Sequence, residues 1–288
     1  MKKAIIIGSN KGYGTAISKA LHNNGFYTIG LSRKNTERIT NETLPITDVS
    51  NNALFSSEFK TVLEKNNDID TVVFVAGDVV LKQVDDYTKR DFKYTLDVNL
   101  GYVVEAIKKI IEKSDIKNIV TFGSQWSYKE NGEILASYSV AKHLLKRFTQ
   151  LLNERGINAF HFCIPTSKTE KALSIGDYLS GTKQKLPLEE SKWAEPDEVA
   201  QIIVEELSNP NSENHLYKFE NKEGSAWSMS ALEVEMDDID KKMQRLTLDD
   251  FFENEKLYEI AKDLYVDLVK KELLENKEES LEFKPKIV

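Results

Sequence analysis

Residues 1–26 read MKKAIIIGSNKGYGTAISKALHNNGF. The apolar run 4–7 ends at Gly8. Two more glycines, Gly12 and Gly14, precede a stretch, 15–25, that reads as a helix ending at Gly25. A strand that passes through a glycine turn into a helix presents free backbone N–H groups and the positive end of a helix dipole, which suits a phosphate. Glycine is needed there because a side chain would block the phosphate or forbid the turn. The spacing is Gly-x-x-x-Gly-x-Gly. It is not the G-x-G-x-x-G fingerprint, since Ile17 stands where a third glycine would follow Gly12 and Gly14, and it is not a P-loop, since no Gly-Lys-Ser/Thr follows. Taken alone, the turn is equally a cofactor cradle or a plain strand-to-helix connection.

Further along, short runs rich in Val, Ile and Phe alternate with longer helical patterns. Residues 27–32, 70–77, 117–124, 157–165 and 215–221 read as strands, and 52–65, 94–113, 136–156 and 195–207 as helices. This alternation predicts an α/β fold with a doubly wound parallel sheet carrying helices on both faces. Past residue 225 the pattern changes. Leu232, Met236, Ile239, Met243 and Leu246 fall on one helical face, and 249–276 reads as a second amphipathic helix striped by Leu257, Ile260, Ala261, Leu264 and Leu268. The expected organisation is a sheet domain over 1–225 and an acidic helical C-terminal extension over 226–288. The extension either packs on the sheet domain or a second subunit, or serves as a lid or docking surface.

The bulk numbers bound the function. At 288 residues, 40% hydrophobic and 30% charged, the chain can bury a full core. Its single cysteine, Cys163, sits in the apolar run AFHFCI and excludes an intrachain disulfide, which fits a reducing compartment. The apolar run after Lys2 and Lys3 is too short for a signal peptide, and no stretch approaches a membrane span, so a cytoplasmic protein is expected. The net charge of −8 lies almost wholly in residues 231–288, with 17 acids and 10 bases, and the rest is nearly neutral. Neither part supplies the net positive charge of a nucleic-acid face. No metal site is expected.

The end of the second strand bears on cofactor choice. A site that prefers NAD carries an acid there for the ribose diol, whereas this chain has Ser32, Arg33 and Lys34, and Lys11 stands inside the glycine turn. A hydroxyl and cations suit a 2′-phosphate, which arginine grips bidentately. For Lys34 a solvated loop is the simpler reading.

With these residues in place the chain resembles the compact branch of the short-chain dehydrogenase/reductase family over about residues 1–225. GSNKGYG (8–14), with Gly8, Ser9, Lys11, Gly12, Tyr13 and Gly14, is similar to the family's cofactor turn. TDVS (47–50) is similar to its adenine-side motif, which implies Asp48 and Val49 near the adenine. VAG (75–77) matches the end of its Asn-Asn-Ala-Gly motif at Ala76 and Gly77. Asn99 in DVNL, Ser124 ending TFGS, and Tyr138 with Lys142 in YSVAK match its catalytic set, and PTSKT resembles its Pro-Gly-x-x-x-Thr at Pro165 and Thr169. EPDEVA (195–200) is similar to its late helix start. Tyr-x-x-x-Lys alone is worthless as a signal, and Tyr258 with Lys262 makes a second copy in the tail. Tyr138 differs because it follows a strand ending in serine; the signal is the order of the whole set.

The resemblance implies an NADP(H)-dependent oxidoreductase acting on a small-molecule carbonyl/alcohol pair, with NAD(H) the lesser option. Hydride transfer needs a nicotinamide, because no side chain performs it. Tyr138 is then the acid/base, and an ammonium one turn away at Lys142 lowers its pKa toward neutrality. Ser124 bonds the substrate oxygen. The resemblance also makes Lys142 a ribose contact and Asn99 the anchor of a proton-relay water. Asn99, Tyr138 and Lys142 therefore count among the cofactor contacts. Phe74 and Val75 replace the two asparagines, and Thr166 replaces the glycine after Pro165, which marks a divergent member.

Residues 125–137 and 166–192 are expected to border the substrate, the latter as a mobile loop. Trp126 and Tyr128 either stack on a ring or pack a loop. Lys168, Lys171, Lys183 and Lys185 either meet an anion or are solvated. The family analogy also implies a homo-dimer or homo-tetramer through helices such as 94–113 and 136–156. The competing reading is a non-catalytic nucleotide-binding scaffold or sensor whose acidic helices recruit a protein partner, and a third is an enzyme docked by its tail into a larger complex.

Overall fold

The computed structural model describes residues 1–34, 40–66, 68–82, 86–113, 116–125, 135–180, 193–208, 215–221, 227–232 and 238–275. Eight strands form one sheet: β1 (Lys3–Ile7), β2 (Tyr27–Ser32), β3 (Glu42–Pro45), β4 (Thr71–Phe74), β5 (Asn118–Ser124), β6 (Ala159–Ile164), β7 (Leu216–Asn221) and β8 (Trp227–Ala231). Their order is β3-β2-β1-β4-β5-β6-β7-β8, all parallel except β8, which runs antiparallel to β7. This is the expected doubly wound, Rossmann-type sheet. The order reverses between β1 and β4, and such a switch point opens a crevice at the carboxyl ends of the strands.

Two cores follow from the period of two along each strand. Ile5, Ile7, Ile29, Leu31, Val72 and Phe74 face one side. There they meet α2 (Asn52–Lys65), α4 (Tyr102–Lys113) and α5 (Ala136–Glu154). Ala4, Ile6, Val73, Val120 and Phe162 face the other, against α1 (Tyr13–Asn23) and α7 (Pro196–Ser208). Because both faces are covered, the strands read as unbroken apolar runs rather than as alternating ones.

Five elements depart from the sequence reading, the first being the four-residue edge strand β3, Glu42–Pro45, which the reading does not include. The stretch 94–113 is not one helix. The helix α3 (Lys89–Leu96) starts at a Thr88–Asp91 capping box, a π turn spans Asp97–Gly101, and α4 follows. Asn99 Nδ2 takes the Thr95 carbonyl at 2.8 Å, so a side chain enters the helical ladder and widens it. Part of the expected 166–192 loop is helix α6 (Glu170–Ser180), whose internal Gly176 is a poor helix former. Strand β8 went unseen because its Trp227–Ala231 run has one large apolar residue fully inside. The tail helix divides into α9 (Leu248–Phe252) and α10 (Asn254–Glu275), because Thr247 and Asp250 build a second capping box, and α8 is short, Asp238–Met243.

The tail packs on its own chain. Met243, Phe251, Ala261, Tyr265 and Val269 are buried in the same core as α5. The centre of the α10 stripe is Leu257, Ala261, Leu264, Tyr265 and Val269, with Ile260 and Leu268 at its margins. Met236 and the side chain of Ile239 lie outside the described residues. The three helices cover α5, and α9 also packs on α4; these are the helices expected to carry a subunit contact. No helix among the described residues is long and apolar enough to cross a membrane.

Candidate active site

A cavity of about 990 Å³ lies at the carboxyl ends of β1, β2, β4, β5 and β6. One end is the glycine turn. Gly8 (φ 92°) and Gly12 (φ 49°) take backbone conformations that L side chains rarely adopt. A Cβ at Gly14 would overlap the Gly8 carbonyl oxygen, so the third glycine lets the turn close on itself. Gly8, Lys11, Gly12 and Tyr13 line the cavity, whereas Ser9 and Gly14 stand behind it. Ser9 is buried with its hydroxyl against Gly30. Tyr13 is largely core: its ring stacks on Phe122 and its hydroxyl bonds Ser167 Oγ. Desolvation pushes its pKa far above the ordinary tyrosine value.

Along the same wall stand Ser32, Arg33, Lys34, Asp48 and Val49. Arg33 Nη1 donates to Asp48 Oδ2 at 2.5 Å. Burial pulls Asp48 upward, but hydrogen bonds from Ser50 and the Arg33 guanidinium outweigh it and hold the carboxyl below its usual range. No acid stands at the tip of β2 itself; the acid that meets Arg33 comes from the TDVS stretch. Ala76, Gly77, Pro165 and Thr169 also line the cavity, and the Thr169 methyl group would lie 3.3 Å from a Cβ on Gly12, so the two loops meet across the opening.

The floor brings Asn99, Ser124, Tyr138 and Lys142 together. Ser124 ends β5, where a Cβ on the preceding Gly123 would strike the buried His161 ring. Tyr138 and Lys142 lie one turn apart on α5, and the tyrosine hydroxyl is hydrogen-bonded to Ser124. Lys142 Nζ donates to the Phe122 carbonyl at 3.0 Å and lies 5.5 Å from the Tyr138 ring centroid. Asn99, at the middle of the π turn, donates to the Asp78 carbonyl at 2.6 Å and to the Thr95 carbonyl at 2.8 Å. Its Oδ1 is buried with no partner. A Cβ on Gly77 would stand 2.8 Å from that oxygen and 3.7 Å from Lys142 Nζ, so glycine keeps the space between them open.

The electrostatics differ from the expectation that Lys142 simply lowers Tyr138. Desolvation pushes Tyr138 up to about 12, against the opposing hydrogen bond from Ser124. Desolvation also brings Lys142 down to about 8. At neutral pH the phenol is therefore protonated and the ammonium mostly so. The lysine is turned toward a backbone carbonyl, and the burial that makes its charge felt also makes that charge costly.

Across the opening lies α6. Glu170 at its start pairs with Lys11 of the glycine turn at 2.6 Å, and the adjacent Lys171 pairs with Asp78 beyond β4. Tyr94 donates to the other Asp78 oxygen at 2.8 Å. Asp78, Tyr94, Glu170 and Ile175 line the cavity without having been read from the sequence. Asp78 follows VAG directly, and that position was the available signal. Lys168 pairs with Glu195 at 2.6 Å. Trp126, Tyr128, Lys183 and Lys185 lie outside the described residues. Tyr258 sits edge-on to Phe92 and Lys262 pairs with Glu259, so the second Tyr-x-x-x-Lys belongs to tail packing and surface.

Comparison with known proteins adds independent findings. Residues 2–171 match the family model described as short chain dehydrogenase. A diacetyl reductase, (S)-acetoin forming, from Staphylococcus epidermidis is 22% identical over 72% of this chain and 92% of its own. Among solved structures, an alcohol dehydrogenase from Thermococcus sibiricus in complex with 5-hydroxy-NADP superposes with a TM-score of 0.61, at 22% identity over 76% of this chain and 95% of that one. A 3-oxoacyl-[acyl-carrier protein] reductase from Brucella melitensis in complex with NAD gives 0.62, at 20% identity over 75% and 93%.

Proposed function

The chain belongs to the short-chain dehydrogenase family, and on that footing we propose that it is an oxidoreductase acting on a small carbonyl/alcohol pair with NADP(H) rather than NAD(H). The observation that carries the reading is the meeting of Ser124, Tyr138, Lys142 and Asn99 on the floor of a cavity whose far wall is the glycine turn. The residues fit the cofactor. Gly8 and Gly12 leave a turn free of side chains, Asp48 and Val49 line the wall where an adenine would lie, and Gly77 with the unpartnered Asn99 Oδ1 leaves polar space beside Lys142. Bound there, a nicotinamide would supply the hydride that no side chain can carry.

The chain's own groups handle the proton. In the reducing direction the Tyr138 hydroxyl, neutral at pH 7, gives its proton to the substrate oxygen. Ser124 orients that hydroxyl and donates to the charge developing on the oxygen. The Lys142 ammonium, buried one turn away, stabilises the phenolate as it forms. Asn99 Oδ1 offers an acceptor for a water that returns the proton through Lys142. In the oxidising direction the same groups run in reverse.

The cations Arg33 and Lys11 on the cavity wall support the NADP(H) preference. The test is a titration with NADPH and, separately, NADH, followed by nicotinamide fluorescence at fixed salt. It is joined to a carbonyl panel that includes diacetyl, the substrate named for the staphylococcal relative. Tight NADPH binding, weak NADH binding and cofactor consumption with one carbonyl are expected. Absence of binding by either would overturn the reading. Arg33→Ala is expected to weaken NADPH about tenfold, the worth of one charge-assisted contact, while leaving NADH within about twofold. Equal losses for both cofactors would remove Arg33 from 2′-phosphate recognition.

A further inference from the structure

Tyr87 is outside the cavity wall, yet it is tied to the site. Its hydroxyl is 2.5 Å from Ser137 Oγ and 2.8 Å from Thr95 Oγ1, and all three residues are buried. Ser137 directly precedes Tyr138 in the first turn of α5. The back of the Tyr87 ring is stacked by Tyr265 of α10, centroids 6.1 Å apart and 26° from parallel. Tyr265 also rests on Phe92 of α3 at 5.2 Å.

The same helix is held further along. Lys146, one turn beyond Lys142, makes a 2.7 Å ion pair with Asp240 of α8, and both side chains are buried. Arg147 donates to the carbonyls of Gln244 at 3.1 Å and Leu246 at 3.3 Å. Phe148 packs on Phe251 of α9 at 5.0 Å. Every one of these partners lies beyond residue 238, whereas the family match ends at residue 171.

There is a physical need for such a grip. Tyr138, Lys142 and Lys146 repeat at i, i+4 along one face of α5, so two ammonium groups are taken out of water one turn apart. Their desolvation and mutual repulsion favour a helix that loosens and lets water in. Asp240 neutralises the second cation, and the aromatic contacts resist the displacement.

We propose that the C-terminal segment clamps the helix presenting Tyr138 and Lys142, with Tyr87 as the positioning residue that passes the packing of Tyr265 on to Ser137. The catalytic meaning of the clamp rests on the reading of Tyr138 and Lys142 given above; the clamp itself rests on the contacts. In the full-length protein, Tyr87→Phe keeps the stack on Tyr265 and removes only the hydroxyl. Hydrogen exchange read by mass spectrometry is expected to quicken about tenfold in peptides spanning 136–146, because two buried hydroxyls lose their partner, and to stay unchanged in β1 and β4. Ser137→Ala should give the same local change, and the double variant no more than either single one. With the carbonyl found in the panel, kcat should fall about tenfold while KM and NADPH affinity hold.

Tyr265→Ala removes the tail's stack on Tyr87 and should quicken the same peptides; unchanged exchange across 136–146 in both this variant and Tyr87→Phe would overturn the clamp. So would an equal quickening over the whole sheet, which marks a general loss of stability. The exchange arm decides the clamp whether or not any carbonyl is turned over. Tyr138→Phe leaves the Tyr87, Ser137 and Tyr265 contacts in place, and its turnover tests the chemistry separately.

Discussion

Tyr138→Phe lowers turnover by about 10²- to 10⁴-fold, the usual worth of a positioned proton donor, and leaves NADPH affinity within about twofold. The substitution is narrow. It keeps the ring that stands 5.5 Å from Lys142 Nζ, so packing around the lysine survives. It removes one hydroxyl, the one bonded to Ser124. The neighbouring groups are poor substitutes. Lys142 Nζ is committed to the Phe122 carbonyl at 3.0 Å, and a serine hydroxyl is too weak an acid to replace a phenol. Steady-state rates with the panel carbonyl, paired with fluorescence titration, read the two quantities separately. A phenylalanine variant with wild-type rates would move the proton donor elsewhere, and weakened cofactor binding with normal kcat would reduce Tyr138 to a binding contact.

Lys142→Met abolishes activity and makes the protein more stable at pH 7. The lysine is buried, and desolvation takes it from 10.5 to about 8. Such a group binds fewer protons folded than unfolded, so folding is least favourable below pH 8, where the buried ammonium must be kept charged. Stability rises between about 8 and 10.5 as the folded protein sheds a proton that the unfolded chain retains. The shift corresponds to about 3 kcal/mol at neutral pH. Against it stands the Phe122 carbonyl, which loses its donor at a cost of about 1 kcal/mol. A net gain of about 2 kcal/mol at pH 7 is expected, shrinking to nothing near pH 10. Denaturant unfolding of both proteins at pH 7 and pH 10 measures it. A variant less stable than wild type at pH 7 would mean that the ammonium is not penalised by burial. In wild type, loss of the lysine charge as pH passes about 8 should also slow carbonyl reduction.

How far the sequence discloses this molecule depends on the kind of signal. The parallel sheet is legible because its strands are buried on both faces, which writes them as continuous apolar runs such as AIII and TVVF. The residues of the cavity floor are legible through the family resemblance, whose pattern runs Asn99, then Ser124 ending a strand, then Tyr138 and Lys142 on a helix. The π turn is not legible, since Asn99 looks like any polar helix residue until its amide takes the Thr95 carbonyl. Nor is the Lys11–Glu170 contact, which joins residues far apart in sequence. The pKa values of Tyr138 and Lys142 escaped for another reason. Spacing shows that a cation is near a phenol, but only the surrounding burial decides which group bears the cost.

One core shared by α5 and α10 also sets a timetable for the nascent chain. Residues 136–154 leave the ribosome well before residue 265, so the outer face of α5 stays bare until that later segment emerges. The sheet can assemble from residues already made, but the helix bearing Tyr138 waits until the residues of α8 to α10 have been made. A message that stops early, short of the codon for Tyr265, would deliver a polypeptide with most of its strands and an uncovered apolar flank. Such a product is a substrate for chaperones and proteases rather than a slow enzyme.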